Sequence, residues 1–183
     1  MASELEIQQA ADCVRNGGVI AYPTEGVWGL GSLPEDEAAV MKILALKQRS
    51  WKQGLLLVAA AIDQFEKYLT TVTDAQLDKL NQDWPGPVTY LVPHNGEAPE
   101  WIVGTHETIG LRVSAHPLVS ALCQELGPIV STSANLSGQP SALSADEVKQ
   151  FFGDSVDMIV PGELGGQSGP SQIKVLETGE IIR

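Results

Sequence analysis

The stretch 108–133, TIGLRVSAHPLVSALCQELGPIVSTS, contains the strand–helix–strand pattern that decides the fold class. Its first seven residues are typical of a buried strand. Residues 116–126 follow helical spacing, and Pro117 suits the first turn of a helix because its fixed φ is already helical. The segment 128–133, which begins with the apolar run 128–130, then predicts a second strand. Strands that alternate with helices in this way indicate an α/β layered domain.

The rest of the chain repeats this alternation. We predict helices over 3–16, 35–48, 61–69, 73–82 and 144–152, and strands over 19–23, 54–60, within 84–93, and over 157–161, 172–176 and 180–183. The last three strands follow one another too closely for parallel crossover connections. The sequence therefore predicts a mixed sheet.

Length and composition predict one compact domain that spans residues 1–183. The chain has 43% hydrophobic and 19% charged residues, which is ordinary for a globular protein. No apolar run approaches the ~20 residues of a membrane span, and the acidic, amphipathic N-terminus is unlike a secretory signal. We therefore expect a cytoplasmic protein that makes no membrane contact.

The charge balance argues against a protein that binds nucleic acid through its overall field. The net charge is −12, whereas such binding needs many contacts from Lys and Arg to phosphates. Positive charge is concentrated in one window, where Lys42, Lys47, Arg49 and Lys52 occur without an acidic residue between them.

Four segments concentrate small hydroxyl or cationic side chains near predicted strand or helix ends. They are YPTEGVWGLG (22–31), KQRSWK (47–52), GLRVSAHP (110–117) and STSAN (131–135). In open α/β sheets ligands bind at the ends of strands. We therefore predict that the four segments share one cleft at the strand ends.

Each segment also has a structural interpretation. The cations of KQRSWK could form a solvated patch, or cap the negative end of the preceding helix. Arg112 lies in an apolar strand, so it either faces water at a sheet edge or is buried and needs an anion. We favour an anionic ligand, although a distant carboxylate could fold against it. STSAN could be an ordinary turn, or a loop whose hydroxyl and N–H groups bind an anion.

Common catalytic motifs are absent from the sequence. There is no P-loop, no dinucleotide-binding fingerprint in a strand-then-helix context, no nucleophile elbow and no histidine-rich metal cluster. Cys13 and Cys123 lack disulfide or metal spacing and fall on predicted helices, where we expect small buried side chains. His116 precedes Pro117, and we expect it to have a structural role at a helix start.

Six segments, taken in their order and spacing, resemble the YrdC-like family in its short, single-domain form. They are AYPTEGVWGLG, LKQRSWKQGLLL, WPGPVTYLV, GLRVSAHPLVSALC, STSANLSG and GPSQI, and the resemblance extends from about residue 20 to residue 183. It implies a twisted mixed sheet flanked by helices, with a concave basic cleft. It also implies a nucleotidyltransferase that joins L-threonine, bicarbonate or CO2, and ATP into threonylcarbamoyl-AMP with release of diphosphate.

This reaction, by the same resemblance, serves the threonylcarbamoyl modification of the adenosine 3′ of the anticodon in tRNAs that read codons beginning with A. ATP is then a substrate that arrives with Mg²⁺, and no metal is bound tightly by the protein. The implied partners are proteins that transfer the threonylcarbamoyl group, and the resemblance leaves a contact with tRNA open.

The resemblance also implies roles for individual residues. Lys47 and Arg49 resemble ligands of the ATP phosphates, and Arg112 resembles an arginine that holds the substrate carboxylate or the carboxylated amine. These three are the expected catalytic residues. The expected substrate- and nucleotide-binding residues are Thr24, Lys52, Thr108, Ser131, Ser133, Asn135, Ser141, Ser171 and Arg183. Within STSAN, the side chains of Thr132 and Ala134 are expected to point away from the cleft.

Two positions depart from the family pattern. Lys52 stands one place before the position at which relatives carry a Lys or an Asn, which is Gln53 here, and Gly26 stands where many relatives have Thr. An alternative function from another class is a non-catalytic module that binds double-stranded RNA or tRNA in the same cleft. The negative net charge and the near absence of aromatic residues among the cations count against it.

Overall fold

The computed structural model describes residues 2–183, in which one eight-stranded sheet has helices on both faces. The strands are β1 (Ile20–Pro23), β2 (Trp28–Gly31), β3 (Leu56–Ala59), β4 (Val88–Pro93), β5 (Thr108–Val113), β6 (Ile129–Ser133), β7 (Met158–Ile159) and β8 (Gln172–Val175). The helices are α1 (Glu4–Arg15), α2 (Glu37–Lys47), α3 (Asp74–Asp83), α4 (Glu100–Val103), α5 (Pro117–Leu126) and α6 (Ala145–Phe152). No helix in this described part of the chain is long and apolar enough to cross a membrane.

The sheet is mixed, as the sequence predicts. Its strand order is β7-β1-β2-β6-β3-β5-β4-β8. The pairs β1–β7, β3–β5 and β4–β8 are parallel, and the other neighbours are antiparallel. The reason that we gave for a mixed sheet is wrong, because β7 and β8 do not pair with each other. They lie at opposite edges, and the segment between them passes from one edge of the sheet to the other.

Polar residues cap the starts of four of the α-helices, α6 included. The Ser3 side chain accepts a hydrogen bond from the backbone of Glu6 at the start of α1, and Glu6 bonds back to Ser3 to complete a capping box. Asp36 caps α2, and Thr73 forms a capping box at α3. Helix α5 begins with Pro117 in its first turn, which agrees with the sequence prediction.

Four elements differ from the sequence prediction. Residues 62–68 form a 3₁₀ helix rather than an α-helix, and Ala61 before it offers no side-chain cap. Residues 180–183 contribute only an isolated bridge between Ile181 and Lys174. Strand β2 and helix α4 were not predicted, because two glycines weaken the strand signal of β2 and α4 has only four residues.

Two hydrophobic layers enclose the sheet. On one face α1 and α5 pack over β1, β3 and β6, through Val14, Ile20, Val58, Leu122 and Ile129 among others. On the other face the larger cluster joins the remaining helices to the sheet. Cys123 is buried and Cys13 is half-buried, both as free thiols. His116 precedes α5, and its Nε2 lies 3.0 Å from the carbonyl oxygen of Glu163, in agreement with a structural role.

Helices α1 and α5 cover only part of the sheet face on which they pack. On β6, Ile129 packs beneath them, and the alternation of side chains along a strand places Ser131 and Ser133 on the same face further along. On β5, Arg112 pairs in register with Val58 of the same cluster, so it projects from that face as well. The polar side chains of two strands therefore meet on the uncovered part of the face.

The segment 162–171 packs against the turn that follows β1. Gly165 N donates to the carbonyl oxygen of Thr24, and Gln167 N donates to that of Glu25. A Cβ atom at Gly26 would lie only 1.9 Å from the carbonyl oxygen of Gly169. Steric exclusion by Gly169 thus explains why this chain has a glycine at position 26, where the sequence departs from the family pattern.

We expect Gly26→Ala to destabilise the protein by about 1–3 kcal/mol, because the new methyl group forces backbone away from backbone. Gly29→Ala is the matched control, since its Cβ would have its nearest neighbour at an ordinary 3.4 Å. Urea unfolding followed by circular dichroism measures both free energies. An unfolding midpoint for Gly26→Ala equal to that of the wild type would contradict the close packing of this segment.

Candidate functional site

A cavity of about 260 Å³ lies on the uncovered part of the sheet face. All four segments that the sequence analysis singled out reach it, with Thr24 from the first, Arg49 from the second, Arg112 from the third, and Ser131 and Ser133 from the fourth. The structure therefore brings the four segments together in one cleft.

The cavity lies on the face of the sheet and not at the strand ends, where the sequence analysis placed it. Its floor includes Gly29 and Gly110, which pair in register with Ser133 and Leu56. A glycine adds no side chain above the sheet, so the floor is low at both positions. The prediction of a site at the strand ends failed because α1 and α5 cover only part of this face.

The structure separates the expected site residues into two groups. The residues that line the cavity are Thr24, Arg49, Thr108, Arg112, Ser131, Ser133, Ser171 and Arg183. Those outside its lining are Lys47, Lys52, Asn135 and Ser141. Thr132 borders the cavity, although strand alternation directs its side chain to the opposite face, where Leu30 is its partner in register. Ala134 is fully buried in the core, as expected.

Three guanidinium groups converge on the cavity, from Arg49, Arg112 and Arg183, and none of the residues that line it is acidic. Arg49 donates to the carbonyl oxygens of Gln53 (3.3 Å) and Gly54 (3.1 Å), and its Nε is buried without a hydrogen-bond partner. Burial, followed by the charge of Arg183, lowers the pKa of Arg49. The cavity thus concentrates positive charge that protein carboxylates do not fully balance, an arrangement suited to an anion.

Arg183 is held in a similar way. Its guanidinium donates to the carbonyl oxygen of Ser171 through Nε (3.3 Å) and NH2 (3.1 Å). Burial, followed by the charge of Arg112, lowers the pKa of Arg183. Carbonyl oxygens orient a guanidinium but carry only partial charge, so they do not replace a counter-ion.

Arg112 has a buried partner, Glu25, whose identity the sequence did not predict. Its NH1 lies 3.1 Å from Oε2 of Glu25, and both side chains are about nine-tenths buried or more. The sequence analysis favoured an anionic ligand and left a distant carboxylate open, and the structure shows that such a carboxylate does fold against Arg112. Nε of Arg112 is nevertheless buried without a hydrogen-bond partner. Arg112 therefore keeps N–H groups that can donate to a ligand, although it is paired with Glu25.

Two hydrogen bonds at its other oxygen also fix the Glu25 carboxylate. Oε1 accepts from the Ser114 hydroxyl (2.7 Å) and from the backbone N–H of Ala115 (3.0 Å). Burial raises the pKa of Glu25, but the charge of Arg112 and these hydrogen bonds outweigh it, so the pKa lies below its ordinary value. Glu25 is therefore ionised near neutral pH.

Lys47 lies behind the STSAN loop and not in the cavity lining. It is only 2% exposed, and its Nζ donates to the carbonyl oxygens of Ser133 and Asn135 (3.1 Å to Asn135) and to Asn135 Oδ1 (2.8 Å). Burial, followed by the charge of Arg49, lowers the pKa of Lys47 to about 8. In this structure the ammonium group organises the loop.

Asn135 has the same structural role. Its Oδ1 accepts from Lys47 and from the Ser133 hydroxyl (2.7 Å), and its Nδ2 donates to the carbonyl oxygen of Gln139 (2.6 Å). These bonds engage the polar atoms of the amide within the loop. In this structure Asn135 lies outside the cavity lining and supports Ser133 at its edge, and a direct contact between Asn135 and a ligand stays a prediction.

The basic window 42–52 does not act as one patch. Lys42 pairs with Asp157 at 2.6 Å on another part of the surface, and Lys52 is exposed outside the cavity lining. Ser141 is half-buried and also lies outside that lining. Successive turns of a helix and its C-terminal cap direct neighbouring cations to different sides, which sequence spacing alone does not resolve.

The rest of the cavity wall is largely apolar and includes Val27, Leu56, Leu91 and Ile173. A cavity with cations on one side and apolar side chains on the other suits a ligand that has anionic groups and a flat or apolar part. Across residues 2–183 there is no group of three or more His, Cys, Asp or Glu side chains that could hold a metal ion.

Comparison with known proteins identifies relatives over the whole chain. Residues 12–183 match the Sua5/YciO/YrdC family model, which is described as telomere recombination. The chain is 50% identical over 183 residues to a threonylcarbamoyl-AMP synthase of Stutzerimonas stutzeri, and the match covers 100% of this chain and 99% of that protein.

Solved structures share the fold. A crystal structure of P. abyssi Sua5 complexed with L-threonine matches with a TM-score of 0.92 and 31% identity, over 99% of this chain and 54% of that one. The chain therefore spans about half the length of the P. abyssi protein. E. coli YciO matches with a TM-score of 0.85 and 28% identity, over 99% of this chain and 89% of that one.

The position of Lys47 predicts a loss of stability on substitution. We expect Lys47→Ala to cost more than about 2 kcal/mol, because the buried loop oxygens lose a charged donor. Lys42→Ala removes an exposed ion pair and is the matched control, with a loss of under about 1 kcal/mol. Denaturant unfolding of both variants checks the difference, and equal losses would contradict a role for Lys47 in holding the loop.

Proposed function

The chain belongs to the Sua5/YciO/YrdC family, and we propose that it is a threonylcarbamoyl-AMP synthase, a nucleotidyltransferase that uses ATP. The observation that carries this proposal is the convergence of three arginines on one cavity whose lining contains no acidic residue. The substrates are L-threonine, bicarbonate or CO2, and ATP, and the products are threonylcarbamoyl-AMP and diphosphate.

The chemistry explains why cations dominate the site. Carboxylation of the threonine amine gives a carbamate, and one of its oxygens attacks the α-phosphorus of ATP. A new P–O bond forms while the bond from the α-phosphorus to the bridging oxygen breaks, and diphosphate leaves with the electron pair. Because an anion approaches a polyanion, charge repulsion and positioning dominate the barrier. Fixed guanidinium groups in a partly dehydrated cavity lower that barrier.

We assign the two ends of the cavity by their side chains. Arg49, with the Ser131 hydroxyl, binds the phosphates through charge and a hydroxyl donor, beside the loop that Lys47 holds. The Ser133 hydroxyl already donates to Asn135 and borders this end of the cavity. Arg112 and Thr24 bind the threonine end, where Arg112 faces the carboxylate or the carbamate.

Thr24 retains hydrogen-bonding capacity for this role. Its hydroxyl donates to the carbonyl oxygen of Val27 at 2.7 Å and keeps its own oxygen free to accept. The L-threonine complex of P. abyssi Sua5, which has the same fold, supports a threonine site in this family. Arg183, Ser171 and Thr108 complete the wall opposite the loop.

The nucleotide brings the metal ion in this proposal. The cavity lining offers no carboxylate to Mg²⁺, so the triphosphate oxygens and water supply the ligands, which is a common arrangement for this ion. When bound, Mg²⁺ neutralises part of the charge on the phosphates. The protein side chains then orient the two substrates and exclude water.

Later steps belong to other proteins in this proposal. Chain 1–183 acts as one cytoplasmic domain that releases threonylcarbamoyl-AMP to proteins that transfer the threonylcarbamoyl group to tRNA. The net charge of −12 disfavours an extended contact between this chain and tRNA, because the excess of acidic residues repels the phosphate backbone.

A direct assay tests the function against the RNA-binding alternative. Incubation with ATP, L-threonine, bicarbonate and Mg²⁺ is expected to yield threonylcarbamoyl-AMP by mass spectrometry, with one diphosphate released for each product. Omission of threonine or bicarbonate removes both signals. Binding of tRNA without product formation under these conditions would contradict the proposal and favour a non-catalytic RNA-binding module.

Paired substitutions test the cavity. We expect Arg49→Ala to lower the rate of diphosphate release at least ~10-fold, a loss of about 1.4 kcal/mol of transition-state stabilisation. Lys52→Ala lies in the same basic window but outside the cavity lining, and we expect its rate to stay within about 2-fold of the wild type. Equal losses in the two variants would show that the whole window binds phosphate, contrary to the geometry.

A further inference from the structure

Glu25 occupies an unusual position beside the cavity. It is 8% exposed, lies in the turn between β1 and β2, and does not belong to the cavity lining. Its carboxylate nevertheless contacts Arg112, which does line the cavity. A buried carboxylate is costly unless it is paired and hydrogen-bonded, so this position calls for a specific reason.

The carboxylate is connected to the strand of Arg112 at both oxygens. Oε1 accepts from Ser114 and Ala115, which directly follow β5, and Oε2 faces NH1 of Arg112 within β5. The turn after β1 is thereby connected by three polar contacts to a strand on the other side of β2, β6 and β3. Glu25 thus fixes the guanidinium of Arg112 relative to Thr24, the residue that precedes Glu25 in the chain.

The remaining donors of Arg112 are not all satisfied. Nε is buried and has no hydrogen-bond partner in the described chain, and NH1 makes an ion-pair contact with Glu25. A planar guanidinium held at one nitrogen has its rotation restricted, so its other donors keep one direction. An arginine that is already oriented loses less side-chain entropy when it binds an anion.

Glu25 also limits repulsion inside the cavity. Arg49, Arg112 and Arg183 are close enough for their charges to affect one another. The ion pair with Glu25 offsets the charge of Arg112, which is the most deeply buried of the three. Without it, Arg112 would be repelled toward water and away from the position from which it faces the cavity.

We propose that Glu25 is a positioning residue that holds Arg112 in place for the carboxylate or carbamate of the amino-acid substrate. This inference rests on the proposed function. Glu25 does not line the cavity, so it makes no contact of its own with the substrate and is not a general base. Its Oε1 accepts hydrogen bonds from Ser114 and Ala115, and its Oε2 faces Arg112 in the ion pair.

Glu25→Gln tests the proposal, because it keeps the size of the side chain and removes its charge. We expect the KM for L-threonine to rise about 10-fold, while kcat stays within about 3-fold and the KM for ATP within about 2-fold. Glu35→Gln removes an exposed partner of Lys67 away from the cavity and is the matched control, with all three constants unchanged. A KM for L-threonine within twofold of the wild type, or an equal rise in the KM for ATP, would overturn the proposal.

A double-mutant cycle separates positioning from a merely structural role. If Glu25 acts through Arg112, Glu25→Gln changes the KM for L-threonine by less than about 2-fold in an Arg112→Met background. A full additional effect in that background would overturn the proposal.

Ser114→Ala replaces Glu25→Gln as the test if the latter variant does not fold. It removes one hydrogen bond to Oε1 of Glu25. We expect the KM for L-threonine to rise about 3-fold, while the KM for ATP does not change.

Two failures remain distinguishable. A wild-type protein that forms no threonylcarbamoyl-AMP overturns the proposed function and this inference together. An active wild type whose affinity for L-threonine is insensitive to Glu25→Gln and Ser114→Ala overturns the positioning role alone.

Discussion

The incomplete cover of one sheet face is the constraint on which the rest of this structure depends. Helices α1 and α5 pack over β1, β3 and β6 and end short of the strands beyond them. Side chains that alternate toward this face are apolar beneath the helices, as at Ile129 and Val58, and polar where the cover ends, as at Ser131 and Arg112. The same strands therefore supply both a core and a cavity, with glycines lowering the floor between them.

Several partial negative charges and one full negative charge stabilise the arginines of that cavity. Backbone carbonyl oxygens orient Arg49 and Arg183, and a buried carboxylate faces Arg112. Burial of like charges disfavours folding unless partners are present, so a cavity with three guanidinium groups is expected to gain further stability when a polyanion binds. Repulsion among the guanidinium groups of the free site and the affinity of the site for an anion thus have the same physical origin.

A second set of interactions supports the site from behind. Lys47 and Asn135, which the sequence analysis placed on the ligand, hold the loop that follows β6. Their polar atoms face the loop because hydroxyl and carbonyl groups of STSAN need buried partners when the strand ends inside the molecule. The segment 162–171 supports the opposite side, where Gly26 permits a close backbone approach.

The sequence by itself determined the α/β class, the mixed sheet, the starts of α1, α2, α3, α5 and α6 to within two residues, and the set of segments that reach the cavity, because hydrophobic periodicity and proline act locally. It did not determine that β7 and β8 lie at opposite edges, that the cavity lies on the sheet face, that Lys52 points away, or that Glu25 pairs with Arg112. Only the tertiary structure decided these points. Each depends on which residues distant in the chain become neighbours, and side-chain direction and burial follow from that packing.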